Sequence, residues 1–200
     1  MSTSQPKKPR KLRAEGRYHH GNLRGALLEA AGKILERDGP EKLSLRAVAR
    51  DLAVSHNAPY RHFSTRQGLL AALAAEGFRA MSKATAKARD AAGPEDNTVN
   101  WMGLAYVDFA LKNPARYRLM FGGAKGQSTE LADSAKASFV QLQGSAGGGH
   151  FGDSPLAAVR AWAFVHGVAH LLLDKQIKPE LMDGRTPLEF AALLLVAGKN

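Results

Sequence analysis

Apolar residues recur three or four positions apart along most of this chain, a spacing that places them on one face of an α-helix. Clusters of glycine, proline and small polar residues interrupt the pattern and mark the helix ends. The pattern predicts helices at residues 22–39, 44–52, 66–90, 99–111, 115–121, 128–143 and 154–174, with a last helix from residue 186. The sequence therefore predicts an all-α fold.

Residues 44–63 form the segment around which the chain is organised, predicted as two short helices joined by a tight turn. Ser44 and Ser55 are the expected N-caps, and the turn falls at residues 53–54. Such a turn often requires a left-handed residue, usually glycine, so Ala53 is expected to be strained. The second helix carries imidazole, amide, phenol and guanidinium groups, which match the base edges and phosphates of a DNA major groove. The alternative is a bundle corner whose polar side chains are merely solvated.

Positive charge is concentrated at one end of the chain. The net charge is +10, and residues 1–66 hold 14 Lys and Arg against 6 Asp and Glu. This asymmetry indicates a surface that binds a polyanion. Residues 1–16 are predicted as a disordered basic tail, which either follows DNA phosphates or only aids solubility.

Composition excludes several classes of protein. The chain has no cysteine, which removes disulfides and thiolate chemistry and fits a cytoplasmic protein. No apolar run reaches the ~18 residues that a membrane span needs, and no signal peptide is recognisable. No catalytic triad or nucleotide-binding fingerprint is present, so the sequence predicts neither an enzyme nor a cofactor.

The helices predicted at residues 154–174 and from residue 186 are apolar nearly all round. Such helices are too apolar for the surface of a monomer. They predict a homodimer in which a shared four-helix bundle buries both.

The chain resembles the TetR family of transcriptional regulators over residues 17–78. The resemblance rests on YHHGNLR, on the run A-x-x-I-L-x-x-x-G-P-E-x-L-S-L-R-x-V-A, on SHNAPYRHF and on TRQGLLAAL, with Ala53 where the family usually has glycine. The segment WAFVHGVAHLLLD resembles a subgroup with a Trp-x-x-x-His-Gly motif in its ligand domain. The resemblance implies a helix-turn-helix domain at residues 17–65 and a ligand-binding and dimerisation domain at residues 66–200. It also implies that the helix after residue 66 shifts like a pendulum and couples a small-molecule effector to the release of a repressor from its near-palindromic operator.

The expected DNA-binding residues combine groove-facing and phosphate-facing side chains. They are Ser44, Arg46, Ser55, His56, Asn57, Ala58, Tyr60, Arg61, His62 and Arg66.

An effector pocket is expected among the aromatic residues of the second domain. The predicted ligand-binding residues are Trp101, Tyr106, Phe109, Tyr117, Met120, Phe121, Phe139, Trp162, His166 and His170. The pair His166 and His170 has metal-compatible spacing, but Gly167 stands where a zincin needs glutamate, so packing or pocket lining is preferred. The pair His19 and His20 has no carboxylate or thiolate nearby in sequence, and no metal is predicted there.

The sequence is also compatible with two other classes of protein. A nucleoid-type protein would bind DNA through the basic tail with a low specificity ratio. A helical ligand-binding or enzymatic bundle would fail to bind DNA at ~0.15 M salt.

Overall fold

The computed structural model of the protein describes residues 22–93, 97–122, 128–145 and 156–196, and the regular elements in those ranges are helical. The helices are α1 (Leu23–Asp38), α2 (Leu45–Asp51), α3 (Arg66–Ala91), α4 (Thr98–Lys112), α5 (Pro114–Gly122), α6 (Thr129–Ser145), α7 (Ala157–Leu173), α8 (Pro179–Met182) and α9 (Pro187–Leu195). Short 3₁₀ turns occupy Pro40–Lys42 and Pro59–Arg61. The all-α prediction is confirmed.

Capping side chains determine where most of these helices begin. Asn22, Ser44 and Thr65 each accept a hydrogen bond of 3.0 or 3.1 Å from the backbone N–H three residues further along. Thr186 and Glu189 form a reciprocal capping box at the start of α9. These caps satisfy amide groups that the first turn of a helix leaves unpaired, so the predicted starts of α1, α2, α3 and α9 are confirmed.

The described residues bury two main apolar cores, and α3 belongs to both. The first core packs α1 and α2 on the first turns of α3, with Leu28, Leu35 and Leu69 fully buried in it. The second core packs the rest of α3 with α4, α5, α7 and α9 and includes Leu131 of α6. A helix of 26 residues is about 39 Å long, so α3 mechanically connects the two cores. The predicted domain boundary at residue 65 stays a prediction.

Several predictions concern residues outside the described ranges. These are the basic tail at residues 1–16, the histidines at positions 19 and 20, and the start of the penultimate helix at residues 153–155. The short helix α8 was not predicted, since a single turn is too short to show a helical period.

Candidate nucleic-acid interface and internal cavity

The chain reverses direction after α2 through a residue in the left-handed conformation. Ala53 has φ 53° and its N–H donates to the Arg50 carbonyl at 3.1 Å. The next N–H, that of Val54, donates to the Ala49 carbonyl at 3.0 Å. The expected left-handed position is confirmed, and an alanine occupies it at a steric cost.

The segment after the turn is not the regular α-helix that the sequence analysis expected from Ser55. Residues 56–58 form a turn in which the Ala58 N–H donates to the Ser55 carbonyl at 3.0 Å, and a 3₁₀ turn follows at Pro59–Arg61. The expectation is wrong because Pro59 has no N–H to bond back to the carbonyl of residue 55. Instead, Pro59 begins a new turn and is itself buried.

The predicted DNA-binding side chains are mostly exposed around this segment. Ser44 and Ala58 are half-buried, whereas Arg46, Ser55, His56, Asn57, Tyr60, Arg61, His62 and Arg66 are exposed. Pro59 and Phe63 anchor the segment to the protein, both buried. Residues 44–66 contain four arginines and one aspartate, so the exposed surface is basic as well as polar. That each of these residues contacts a base or a phosphate stays a prediction.

Arg66 has a structural role that the sequence analysis missed. Its Nε donates to the Leu43 carbonyl at 2.8 Å, and its Nη2 donates to the Pro40 carbonyl. The side chain therefore holds the connection between α1 and α2 against the start of α3. No sequence signal indicates this role, because the acceptors are backbone carbonyls more than 20 residues away.

A cavity of about 280 Å³ lies among α3, α4, α5, α6, α7 and α9. Four predicted ligand-binding residues are in its wall: Tyr106, Phe121, Phe139 and Trp162. The other described wall residues are Phe78, Met81, Thr85, Val99, Asn100, Met102, Gly103, Ala135, Ser138, Leu142, Ala161, Phe164, Val165 and Leu195.

The remaining predicted ligand-binding residues lie outside that wall. Met120 is buried where α5 meets α3, and Trp101 and Phe109 are on other parts of the α4 surface. The His170 ring lies edge to face against that of His166, with ring centroids 4.6 Å apart. Any role in ligand binding stays a prediction for these residues.

Tyr106, in the cavity wall, forms a hydrogen-bonded cluster with Tyr117 and His166, which lie outside that wall. His166 Nδ1 is 2.8 Å from each tyrosine oxygen, and the two tyrosine oxygens are 3.1 Å apart. Burial raises the pKa of Tyr106 to about 12 and raises that of Tyr117 further, so both phenols are neutral at pH 7. The cluster is therefore a hydrogen-bonded polar group within the otherwise apolar second core.

Helix α5 connects the two cores. The Glu36 carboxylate, on α1, accepts hydrogen bonds from the backbone N–H groups of Ala115 at 3.0 Å and Arg116 at 2.8 Å. A carboxylate at a helix N-terminus satisfies free amide groups and opposes the positive end of the helix dipole. A Cβ at Gly77 would lie 2.6 Å from the Met120 sulfur, so glycine lets α5 approach α3 closely. The other end of α5 supplies Phe121 to the cavity wall.

A weaker contact joins α1 to α6. Glu130 pairs with Arg24 at 2.8 Å and with Arg79 at 3.2 Å, but all three side chains are more than a third exposed. Ion pairs of this kind contribute ~0–1 kcal/mol, so Glu36 is the stronger of the two connections.

Large apolar side chains remain exposed on α7 and α9. Phe164, Leu171, Leu193 and Leu194 are each between 41% and 46% exposed. Adding a Cβ at Gly167, on the same part of α7, would meet open space. We call these five residues the α7/α9 face. Within the described ranges, every helix is too short or too polar to span a lipid bilayer.

Each of the two cores matches a known protein-family model. Residues 27–73 match the family model described as bacterial regulatory proteins, tetR family, and residues 99–195 match the model described as tetracyclin repressor-like, C-terminal domain. The chain belongs to the TetR family. The family is one of transcriptional regulators rather than enzymes.

Two proteins similar to this TetR-family chain are more than 30% identical to it over the matched residues. The HTH-type transcriptional regulator Rv1816 of Mycobacterium tuberculosis is 31% identical over 102 residues, which are 50% of this chain and 44% of that protein. The chain thus matches less than half the length of that curated relative. A solved structure of a protein with unknown function from Rhodococcus sp. RHA1 is 34% identical, with a TM-score of 0.73 over 90% of this chain and 95% of that one.

A more distant neighbour shares the fold alone. It is a TetR variant from Acinetobacter baumannii in complex with minocycline, 20% identical, with a TM-score of 0.54 over 85% of this chain and 93% of that one.

The TetR-family cavity includes polar residues that the sequence analysis did not select. Thr85 follows Phe78 and Met81 at helical spacing, and a polar residue within that apolar stripe was the available signal. Asn100 and Ser138 gave no such signal, because which faces of α4 and α6 turn inward depends on tertiary packing.

Proposed function

We propose that this TetR-family chain is a cytoplasmic, homodimeric repressor that binds a near-palindromic DNA operator and is released by a small-molecule effector. The proposal rests on two distinct features that occur in one chain. One is the exposed basic helix-turn-helix surface at residues 44–66, and the other is the cavity in the second core.

Base reading is assigned to the side chains that the turn at residues 56–58 exposes. Asn57 presents an amide, which pairs with an adenine edge and discriminates bases by ~1–3 kcal/mol. Arg46 on α2 is an exposed cation suited to a phosphate, which carries no sequence information. Replacing Asn57 should therefore change base preference, whereas replacing Arg46 should weaken binding to all sequences alike.

Dimerisation is assigned to the α7/α9 face. Its four large side chains keep 41% to 46% of their surface exposed in the single chain. Large apolar side chains left exposed on two helices of one chain are typical of a protein interface. Two copies related by a two-fold axis would present two recognition segments to successive major grooves, which is why the operator should be a near-palindrome.

Release is assigned to α5. A ligand that displaces Phe121 moves one end of a nine-residue helix whose other end is held by Glu36 of α1. Such a ligand binds one arrangement of the two cores better than the other, and by linkage DNA weakens its binding by the same factor. The fold neighbour solved with minocycline supports the use of this architecture for small molecules.

Selection of genomic fragments by the purified full chain at near-physiological salt, followed by footprinting, tests the proposal. We expect a short near-palindromic footprint that Asn57→Ala alters in base preference. Diffuse retention of all fragments, lost steeply as salt rises, would mean that the basic surface binds DNA without reading it and would overturn the proposal.

A further inference from the structure

The cavity is elongated along the helices that line it. On α3 the wall runs from Phe78 to Thr85, which is seven residues or about 10 Å of helix. On α4 it runs in the opposite sense, from Tyr106 back to Asn100 and Val99. A ligand that fills the cavity therefore extends over about two helical turns.

The two ends of the cavity differ in chemistry. Near Phe78 the wall is aromatic: the Phe78 and Phe121 rings meet edge to face at 5.3 Å, and the Tyr106 ring is 6.5 Å from that of Phe121. Trp162 continues this surface, 6.4 Å from Phe121. An aromatic surface of this kind favours a further ring packed against it edge to face or offset-stacked.

The opposite end carries neutral hydrogen-bonding groups. Thr85 Oγ1 accepts from the Gln141 amide at 2.9 Å and donates to the Ser82 carbonyl at 3.0 Å. Asn100, in the part of the wall that the first turn of α4 supplies, forms no side-chain hydrogen bond with any residue in the described ranges. Its amide can donate and accept, and it therefore offers a ligand one polar contact of either kind.

The described wall contains no acidic, basic or histidine side chain. An ionised group that enters the cavity would lose part of its hydration without gaining a partner of opposite charge from this wall, which is unfavourable. The wall therefore selects against carboxylates, phosphates and ammonium ions.

The volume sets the size of the ligand. An apolar cavity of ~150 Å³ holds one benzene molecule. The cavity here is about 280 Å³, enough for one ring and a short chain.

We propose that the effector of this protein is an uncharged arylalkyl compound about 10 Å long, with its ring among Phe78, Tyr106 and Phe121 and one terminal hydrogen-bonding group at Asn100. This inference rests on the proposed function, since it names the class of molecule that the regulator senses.

Calorimetric titration of the full chain with four matched probes tests the inference. The probes are phenylbutanol, butylbenzene, phenylbutanoate and phenylbutylamine, which share the ring and chain and differ only at the terminal group. We expect phenylbutanol to bind, butylbenzene to bind several-fold more weakly, and both ions to bind at least tenfold more weakly than phenylbutanol. Binding of either ion as tight as that of the alcohol would overturn the inference, and so would no binding of the alcohol up to its solubility limit.

Two substitutions locate the probe. Asn100→Leu should lower phenylbutanol affinity several-fold and leave butylbenzene affinity unchanged or higher. Ala135→Phe places a ring in the cavity and should abolish binding of both neutral probes. Its matched control, Ala132→Phe, adds the same ring at an exposed position of α6 and should bind both normally. Equal effects of the two α6 variants would place the probe elsewhere.

An operator titration separates this inference from the proposed function. If phenylbutanol binds but leaves operator affinity unchanged, the ligand class stands and effector release fails. If a charged molecule releases the operator while binding in the cavity, the regulator stands and the ligand class is wrong.

Discussion

Replacing Ala53 with glycine should stabilise the protein, although glycine is usually a destabilising substitution. Ala53 has φ 53°, in the left-handed region where a Cβ is crowded by the following carbonyl. The residue is exposed, so removing its methyl group sacrifices no packing. The substitution therefore acts on the backbone alone.

Two opposing contributions decide whether the substitution raises or lowers the free energy of unfolding. A left-handed conformation costs a residue with a Cβ ~1–2 kcal/mol. Glycine gains more freedom than alanine in the unfolded chain, which costs ~0.5–1 kcal/mol on folding. The difference is a gain of ~0–1.5 kcal/mol, which raises the Tm of a chain of this size by up to ~6 °C.

Thermal unfolding followed by circular dichroism measures this shift. Ala80→Gly is the matched control, because Ala80 is exposed within α3, where the same substitution should lower stability by ~1 kcal/mol. A lower Tm for Ala53→Gly than for the wild type would mean that the turn is not held in the left-handed conformation.

Three further predictions concern the cores and the dimer. Glu36→Ala should cost ~1 kcal/mol and speed amide hydrogen exchange at the start of α5, whereas Glu29→Ala, which loses only an exposed ion pair, should do neither. The folded-state pKa of Tyr106 is about 12 against an ordinary value of 10, so its contribution to stability is complete below pH 10 and lost as pH rises towards 12. Between pH 10 and pH 12 the free energy of unfolding, measured by chemical denaturation, should fall more steeply for the wild type than for Tyr106→Phe, by up to ~1.4 kcal/mol per pH unit. Parallel plots of that free energy against pH would contradict this. Leu171→Glu should make the protein monomeric in sedimentation equilibrium, and Leu181→Glu on exposed α8 should leave it dimeric; an unchanged dimer in the first variant would remove the α7/α9 face as the interface.

Local signals in the sequence were sufficient to predict most helices. Caps such as Asn22, Ser44 and Thr65 act within three residues of their partners, and their effect is therefore readable without tertiary information. The second helix of the helix-turn-helix was mispredicted because Pro59, four residues after the cap, removes a donor that a regular helix needs.

The cavity was only partly predictable, for a different reason. Selected aromatic residues of α4, α5, α6 and α7 line the cavity, but aromatic content could not say which side of each helix faces it. Trp101 lies about 140° around α4 from Tyr106 and is outside the described wall, although both are aromatic. The Glu36 contact to α5 was not predictable either, because 79 residues separate the acceptor from the first donor.

The central claim is that the surface at residues 44–66 reads DNA sequence. Its most direct test is an equilibrium titration of the full chain with the selected operator and with a scrambled duplex of the same length and composition, at ~0.15 M salt. We expect the operator to bind at least ~10³-fold more tightly than the scrambled duplex. A ratio near one would contradict it and would leave a protein that binds DNA by charge alone.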